Sequence, residues 1–142
     1  MGAIRIEAYR DAQFDEVRAL WLEAFPGDPP HNRAEVAIPA KLAVQPDLLL
    51  VALDQGKVVG TTMAGYDGHR GWLYAVAVRG SHRRSGVGSL LVREAERRLA
   101  RLGCTKINLQ VRAENAAVAA FYRALGYAVE ERVSMGKRLA ES

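Results

Sequence analysis

Arg83, Arg84, Ser85, Gly86, Val87 and Gly88 put two cations, a hydroxyl and two glycines into six consecutive residues. An apolar run from Trp72 to Val78 precedes them, and apolar residues at helical spacing begin at Val87. A strand that breaks into a glycine-rich turn and then a helix aims several backbone N–H groups at one point. The positive end of the helix dipole lies behind that point. Such a turn binds phosphate, and glycine, having no Cβ, lets the anion approach the main chain closely. Taken alone, the same pattern is also the plain start of a helix.

Few other groups are suited to chemistry. Tyr122 and Tyr74 carry phenols, Asp67 and His69 share a turn ahead of the strand 72–78, and His82 belongs with the glycine turn. Phe121 and Tyr122 are adjacent on a predicted helix and point about 100° apart, so they are not expected to fill the same core. Tyr122 is therefore read as a chemical group, with a packing aromatic as the alternative. Cys104 is the single cysteine, which leaves no intramolecular disulfide and no Cys-based zinc site. It follows a predicted helix C-terminus, where the dipole raises a thiol pKa and argues against a nucleophile.

Charge is concentrated near the glycine turn. Between Arg79 and Arg101 seven arginines face two glutamates, a net +5 in a chain whose total is +4. That suits a polyanionic small ligand, while nucleic acid is the competing partner for the same patch. Arg93, Arg97, Arg98 and Arg101 also fit the solvated face of a helix. A chain of 142 residues, 49% hydrophobic and 25% charged, fits one domain, 1–142, with one core. No apolar run approaches the roughly 20 residues that span a bilayer. No signal-peptide pattern opens the chain, so no membrane association and a cytoplasmic location are expected.

The elements that must position these groups follow in order. Residues 3–8 read as a short strand, and Asp11 as the cap of a helix over 11–25. Pro26 to Pro30 break it, and Asn32 caps a second helix made short or kinked by Pro39. Strands at 48–53, 58–65 and 72–78 form an antiparallel meander. A helix from Gly86 ends at Gly103. A strand over 106–111 lies parallel to 72–78, because a helix connects them. Asn115 caps a last helix, Gly126 ends it, and 127–129 and 132–139 read as closing strands.

Two stretches carry a family resemblance. Val78 to Gly88 (VRGSHRRSGVG) resembles the V-x-P-x-x-[RQ]-x-x-G-x-[GA] acyl-CoA motif of the GNAT N-acetyltransferases, and Asn115 to Tyr127 (NAAVAAFYRALGY) resembles the family's N-x-x-A-x-x-F-Y-x-x-x-G-[FY] motif. The element order matches over nearly the whole chain. Gly80 departs from the pattern, which usually has Pro there. The segments 64–71 and 134–139 are similar to the small bacterial YpeA-type acetyltransferases.

The resemblance implies an α/β (α+β) fold with a mixed, mostly antiparallel central sheet and helices on both faces. It implies that strand 72–78 splays from 106–111 to hold acyl-CoA. The cofactor would be acetyl-CoA (coenzyme A), bound by Arg83, Arg84, Ser85, Gly86, Val87 and Gly88 at the pyrophosphate. Val76, Ala77 and Val78 would line the pantetheine arm, and an N–H of Val76 or Val78 would hold the thioester carbonyl. Asn115 would touch the arm or only cap its helix, and Tyr122 would be the general acid for the departing thiolate.

The general base stays open. Tyr74 stands where many members carry Glu; it would order a water that carries the proton out, and Asp67 and His69 are the other candidates. The acceptor, a primary amine of unidentified kind, is expected against residues 21–35 and 66–70, with Phe25, Asp28, His31 and Asp67 along it. Direct attack in a ternary complex is preferred to an acyl-enzyme. Because members of the family often pair, a homodimer is among the states implied. A non-catalytic acyl-CoA sensor and a nucleic-acid binder are the rival readings.

Overall fold

The computed structural model of the protein describes residues 3–139. They form two compact units, one reaching to Leu109 and the other beginning at Gln110.

In the first unit five strands form one sheet in chain order: β1 (Arg5–Ala8), β2 (Leu49–Asp54), β3 (Lys57–Tyr66), β4 (Gly71–Val78) and β5 (Ile107–Asn108). Strands β1 to β4 pair antiparallel, and β4 pairs β5 parallel. The helices are α1 (Phe14–Ala24), α2 (Ala34–Leu42) and α3 (Val87–Arg101). This is the mixed, mostly antiparallel sheet that the sequence implied.

Side chains alternate across a strand. Leu49, Val51 and Leu53 join Val17, Leu20, Trp21 and Ile38 in the core on the α1 and α2 side. Their neighbours Leu50 and Ala52 turn to the opposite face. There Ala52 pairs with Gly60, and a Cβ on Gly60 would lie 2.9 Å from Leu91 Cδ1 and 3.0 Å from Val87 Cγ1 of α3. Strand β2 is thus buried on both faces, which explains its continuous apolar run. Helix α3 is amphipathic: Val87, Leu91, Val92, Ala95 and Leu99 are buried, while Arg97 and Arg98 pair with Glu94 outside the core.

Four local expectations change. Asp11 does not cap α1: a 3-10 turn, Asp11–Gln13, leads into the helix, and Gln13 Oε1 accepts from the Arg10 N–H at 2.8 Å. Asn32 ends another 3-10 turn, Pro30–Asn32, and α2 starts after Arg33 without a side-chain cap. The strand expected over 106–111 contracts to Ile107–Asn108, which stand in register with β4, while the Lys106 carbonyl accepts from the Gly71 N–H at 2.9 Å. The closing strands at 127–129 and 132–139 do not form among the described residues. A strand exists through its ladder, and this segment makes none; Val129, Val133, Met135 and Leu139 stay exposed.

The second unit is built on α4 (Ala116–Ala124). Asn115 Oδ1 accepts from the Val118 N–H at 3.3 Å, the expected cap. The helix closes as expected at Gly126, with the Tyr127 N–H donating to the Tyr122 carbonyl at 3.0 Å. No helix among the described residues is long and apolar enough to cross a membrane.

Candidate active site

Strand β4 is paired on both sides only at its start. Its parallel ladder with β5 holds Gly71↔Ile107 and Trp72↔Asn108 and stops there, while pairing to β3 continues to Val78↔Gly60. The stretch Leu73–Val78 is therefore a strand edge facing away from β3, in the place where the sequence implied a splay.

That edge is also bulged. Met63 pairs with Tyr74 and Thr61 with Ala77, so Ala75 and Val76 together oppose Thr62. Ala75 has φ 50, a left-handed conformation costing a residue with a side chain about 1–2 kcal/mol. A bulge leaves its extra residue without a ladder partner and re-aims the strand. Two fully buried hydroxyls answer the displaced carbonyls: Thr61 Oγ1 donates to Ala75 O at 3.2 Å, and Thr62 Oγ1 to Tyr74 O at 3.4 Å. Thr61 in turn accepts from Trp21 Nε1–H at 2.8 Å. Sequence reasoning missed Thr61 and Thr62 as site residues, and it included Trp21 only as the first residue of the acceptor segment 21–35. The available signal was two adjacent threonines inside an otherwise apolar run.

Beyond β4 the chain is tied down repeatedly. Arg79 donates from its main-chain N–H to Val59 O at 2.8 Å and from Nε to Val58 O at 3.1 Å. The Gly80 N–H reaches Glu23 Oε2 on α1 at 3.0 Å, a bond that proline could not make. His82 Nε2 meets Asp54 Oδ2 at 2.8 Å, and Ser81 Oγ meets His82 Nδ1 at 2.8 Å. The Ser85 hydroxyl donates to the His82 carbonyl. His82 thus fastens the turn to the β2–β3 hairpin.

The glycine turn itself presents its main chain. Gly86, at φ 88, is the N-cap of α3, and no side chain caps the helix. The first N–H groups of a helix have no intrahelical acceptor. A left-handed residue followed by helical ones gathers them into a concave anion site. Arg83, Arg84, Ser85 and Gly86 are exposed around it, and Arg84 too has positive φ, 63. The Val87 side chain is buried against the sheet, so only its main chain is available to a ligand. Ala77 is likewise buried, while Val76 and Val78 are half-buried.

The candidate bases separate on inspection. Asp67 Oδ1 accepts from the N–H of Arg70 at 2.7 Å and of His69 at 2.8 Å, closing their turn. Those backbone bonds hold its carboxyl below the usual range, which makes it a poorer base. Tyr74 is 50% exposed, and burial of its remainder, with Asp67 nearby, holds its phenol above the ordinary value. It stays protonated at neutral pH. Cys104 donates its thiol to Lys106 O at 3.2 Å, against the Gly71 backbone.

A shallow cavity of ≈ 100 Å³ lies between the end of α1 and the start of α2, with Trp21, Phe25, Asp28, Arg33 and Glu35 in its wall. Phe25 and Asp28 were expected there; His31 and Asp67 do not line it. The Glu35 carboxylate is bound by Arg18 Nε at 2.7 Å, leaving Asp28 as an acid with no ion-pair partner among the described residues.

In the second unit Tyr122 is 8% exposed. Its ring meets Phe121 at 5.0 Å and Tyr127 at 5.7 Å, both edge to face. Burial pushes its phenol up to about 12.

Sheet order, the β4 edge and the uncapped start of α3 together define a mixed α/β fold with a basic turn beside an open strand edge. A family model described as the acetyltransferase (GNAT) family matches residues 14–127. A protein named an acetyltransferase from Sodalis glossinidius (strain morsitans) is 42% identical over 139 residues, covering 97% of each chain. Another so named, from Pectobacterium atrosepticum, is 40% identical over 138 residues, again covering 97% of each. The chain belongs to the GNAT acetyltransferase family, as its two signatures implied. It is an acyltransferase, and acetyl-CoA is the cosubstrate of the family. In fold it is similar to the aminoglycoside N-acetyltransferase AAC(6′)-Iy in complex with CoA, with a TM-score of 0.79 at 23% identity over 99% of this chain and 98% of that one.

Proposed function

We propose that this protein transfers the acetyl group of acetyl-CoA to a primary amine by direct attack, with both substrates bound together, and that residues 1–142 serve as one catalytic domain. The observation that carries this reading is the open edge of β4 followed, across a turn whose own N–H groups are tied down, by the uncapped start of α3. Their main-chain donors fit acetyl-CoA, which would supply the activated thioester and leave as the coenzyme A thiol. The N–H groups at Gly86, Val87 and Gly88, with the charge of Arg83 and Arg84, hold the pyrophosphate, and the Ser85 hydroxyl joins them by turning from the His82 carbonyl. The main chain of Val76, Ala77 and Val78 pairs with the pantetheine amides, and Asn115 adds a contact to that arm. An N–H of Val76, at the bulge, or of Val78 beyond it donates to the thioester oxygen as negative charge gathers there.

Tyr122 is the proposed donor to the departing sulfur. With its phenol at about 12 the proton is always present at the pH of use, so turnover has no limb from Tyr122 below about pH 11. Tyr74, also protonated, orders a water that takes the proton from the amine. Asp28 in the cavity pairs with a cationic group of the acceptor, and the Phe25 and Trp21 rings cover its apolar part.

Thiol release from acetyl-CoA across a panel of primary amines tests the reading. Tyr122→Phe is expected to lower kcat by about a hundredfold, within the range for loss of a general acid, while acetyl-CoA affinity stays within about twofold. Equal loss of both would remove Tyr122 from the chemistry. A second reading, a non-catalytic acyl-CoA sensor, draws on the protonated Tyr74 where the family's Glu is expected. Thiol release dependent on any amine excludes it.

A further inference from the structure

Two hydroxyls lie fully buried in the middle of β3, a strand whose ladder bonds require none. Thr61 pairs with Val51 and Thr62 with Leu50, so the two threonines project from opposite faces of the sheet. Thr61 therefore approaches β4 from the α1 side and Thr62 from the α3 side. Both end on consecutive β4 carbonyls, Ala75 O and Tyr74 O, where the register shift leaves the strands out of step.

The two hydroxyls differ in one respect. A threonine hydroxyl rotates freely unless a neighbour fixes its role. Thr61 has such a neighbour: Trp21 Nε1–H can only donate, and it donates to Thr61 Oγ1 at 2.8 Å. The threonine proton is thereby directed to Ala75 O, and the relay indole–hydroxyl–carbonyl reads in one direction. Ala75 is the residue held at φ 50, and an unfavourable conformation persists where the surroundings fix it from more than one side.

We infer that Trp21 and Thr61 are positioning residues for the acyl end of the cosubstrate: their buried relay holds the Ala75 carbonyl, and with it the bulge that aims the main chain of Val76. The inference rests on the acetyltransferase reading. It assigns the relay to the thioester end of the ligand and not to the pyrophosphate turn, which has its own ties to Glu23, Asp54, Val58 and Val59. Trp21 also lines the cavity between α1 and α2, so one ring borders the acceptor side and braces the acyl side.

The test is calorimetric titration of the full chain with two probes, acetyl-CoA and ADP, the latter reaching only the pyrophosphate turn. Thr61→Val keeps the shape and removes the hydroxyl. It is expected to weaken acetyl-CoA about tenfold and leave ADP within about twofold, the size of one lost buried hydrogen bond. Thr61→Ser restores acetyl-CoA binding to within about threefold, since the hydroxyl returns. Ala75→Gly in the Thr61→Val background recovers at least about half of the loss, because glycine adopts positive φ without the relay. If Thr61→Val gives no cooperative melt, Trp21→Phe carries the same test, with about threefold weaker acetyl-CoA and unchanged ADP. Acetyl-CoA affinity unmoved in the folded variants, or acetyl-CoA and ADP lost in equal measure, overturns the inference while the functional reading stands. A parent protein that binds ADP but not acetyl-CoA, or neither, overturns the functional reading and the inference with it.

Discussion

The turn over 79–88 and the loop over 25–33 lie in the same unit and are held very differently. The first is fastened from three directions: Glu23 on α1, Asp54 at the β2–β3 hairpin, and the Val58 and Val59 carbonyls of β3. The second is held by its own turn bonds, such as Asp28 N–H to Phe25 O at 3.2 Å and Arg33 N–H to Pro30 O at 3.1 Å, and by the half-exposed Arg18–Glu35 pair. A cosubstrate of fixed shape rewards donors fixed in advance, because less ordering is left to do on binding. Under the proposed function, an acceptor would meet a loop whose named backbone bonds are local to it. If the proposed function holds, the comparison assigns rigidity to the anion site and adaptability to the cavity.

The comparison breaks first at Gly86. Gly86→Val places a β-branched side chain at φ 88, so the helix start has to reorganise. Acetyl-CoA affinity is expected to fall about thirtyfold, close to 2 kcal/mol, by calorimetric titration. An unchanged affinity would show that the donors at the start of α3 are not the anion site. The ties come next. Glu23→Gln keeps an acceptor for the Gly80 N–H, whereas Glu23→Ala removes it. The alanine variant is expected to weaken acetyl-CoA about fivefold and the glutamine variant less than about twofold. Equal effects from both would point to charge and not to the bond.

An effect on stability, and not on affinity, is expected in the packing beneath the turn. Gly60→Ala brings a methyl to 2.9 Å from Leu91 and 3.1 Å from the Ala77 carbonyl, and thermal unfolding should report a loss of about 1–3 kcal/mol. The smallest belongs to the cavity. Arg18→Ala removes a solvent-screened pair and should leave both melting temperature and acetyl-CoA affinity unchanged. Asp28→Asn should raise KM for a cationic amine while sparing acetyl-CoA affinity. A loss of acetyl-CoA binding in either variant would mean that the two regions are not independently held.

What the sequence made legible was local. The meander, the helix from Gly86, its end at Gly103 and the Asn115 cap each follow from neighbours within a few residues, and each stands in the structure. The parallel pairing of β4 with β5 was legible as well, because a helix between two strands imposes it. The bulge was not: it arises from register between β3 and β4, and Ala75 looks like any strand alanine. Trp21 fell inside the helix expected over 11–25 and the acceptor segment 21–35, but its N–H bond to Thr61 depends on a residue 40 positions away. His82 was assigned to the turn by proximity alone; its pairing with Asp54 crosses the hairpin. The segment 132–139 read as a closing strand, but among the described residues it has no partner strand.

The measurement that reaches the central claim most directly is calorimetric titration of the parent protein with acetyl-CoA, desulfo-CoA and ADP. The account predicts tight binding of acetyl-CoA and desulfo-CoA with ADP much weaker, since the β4 edge and the glycine turn act together on one ligand. Equal affinity for all three would confine recognition to the turn and contradict the role given to the bulged strand, and no binding of any would contradict the anion site itself.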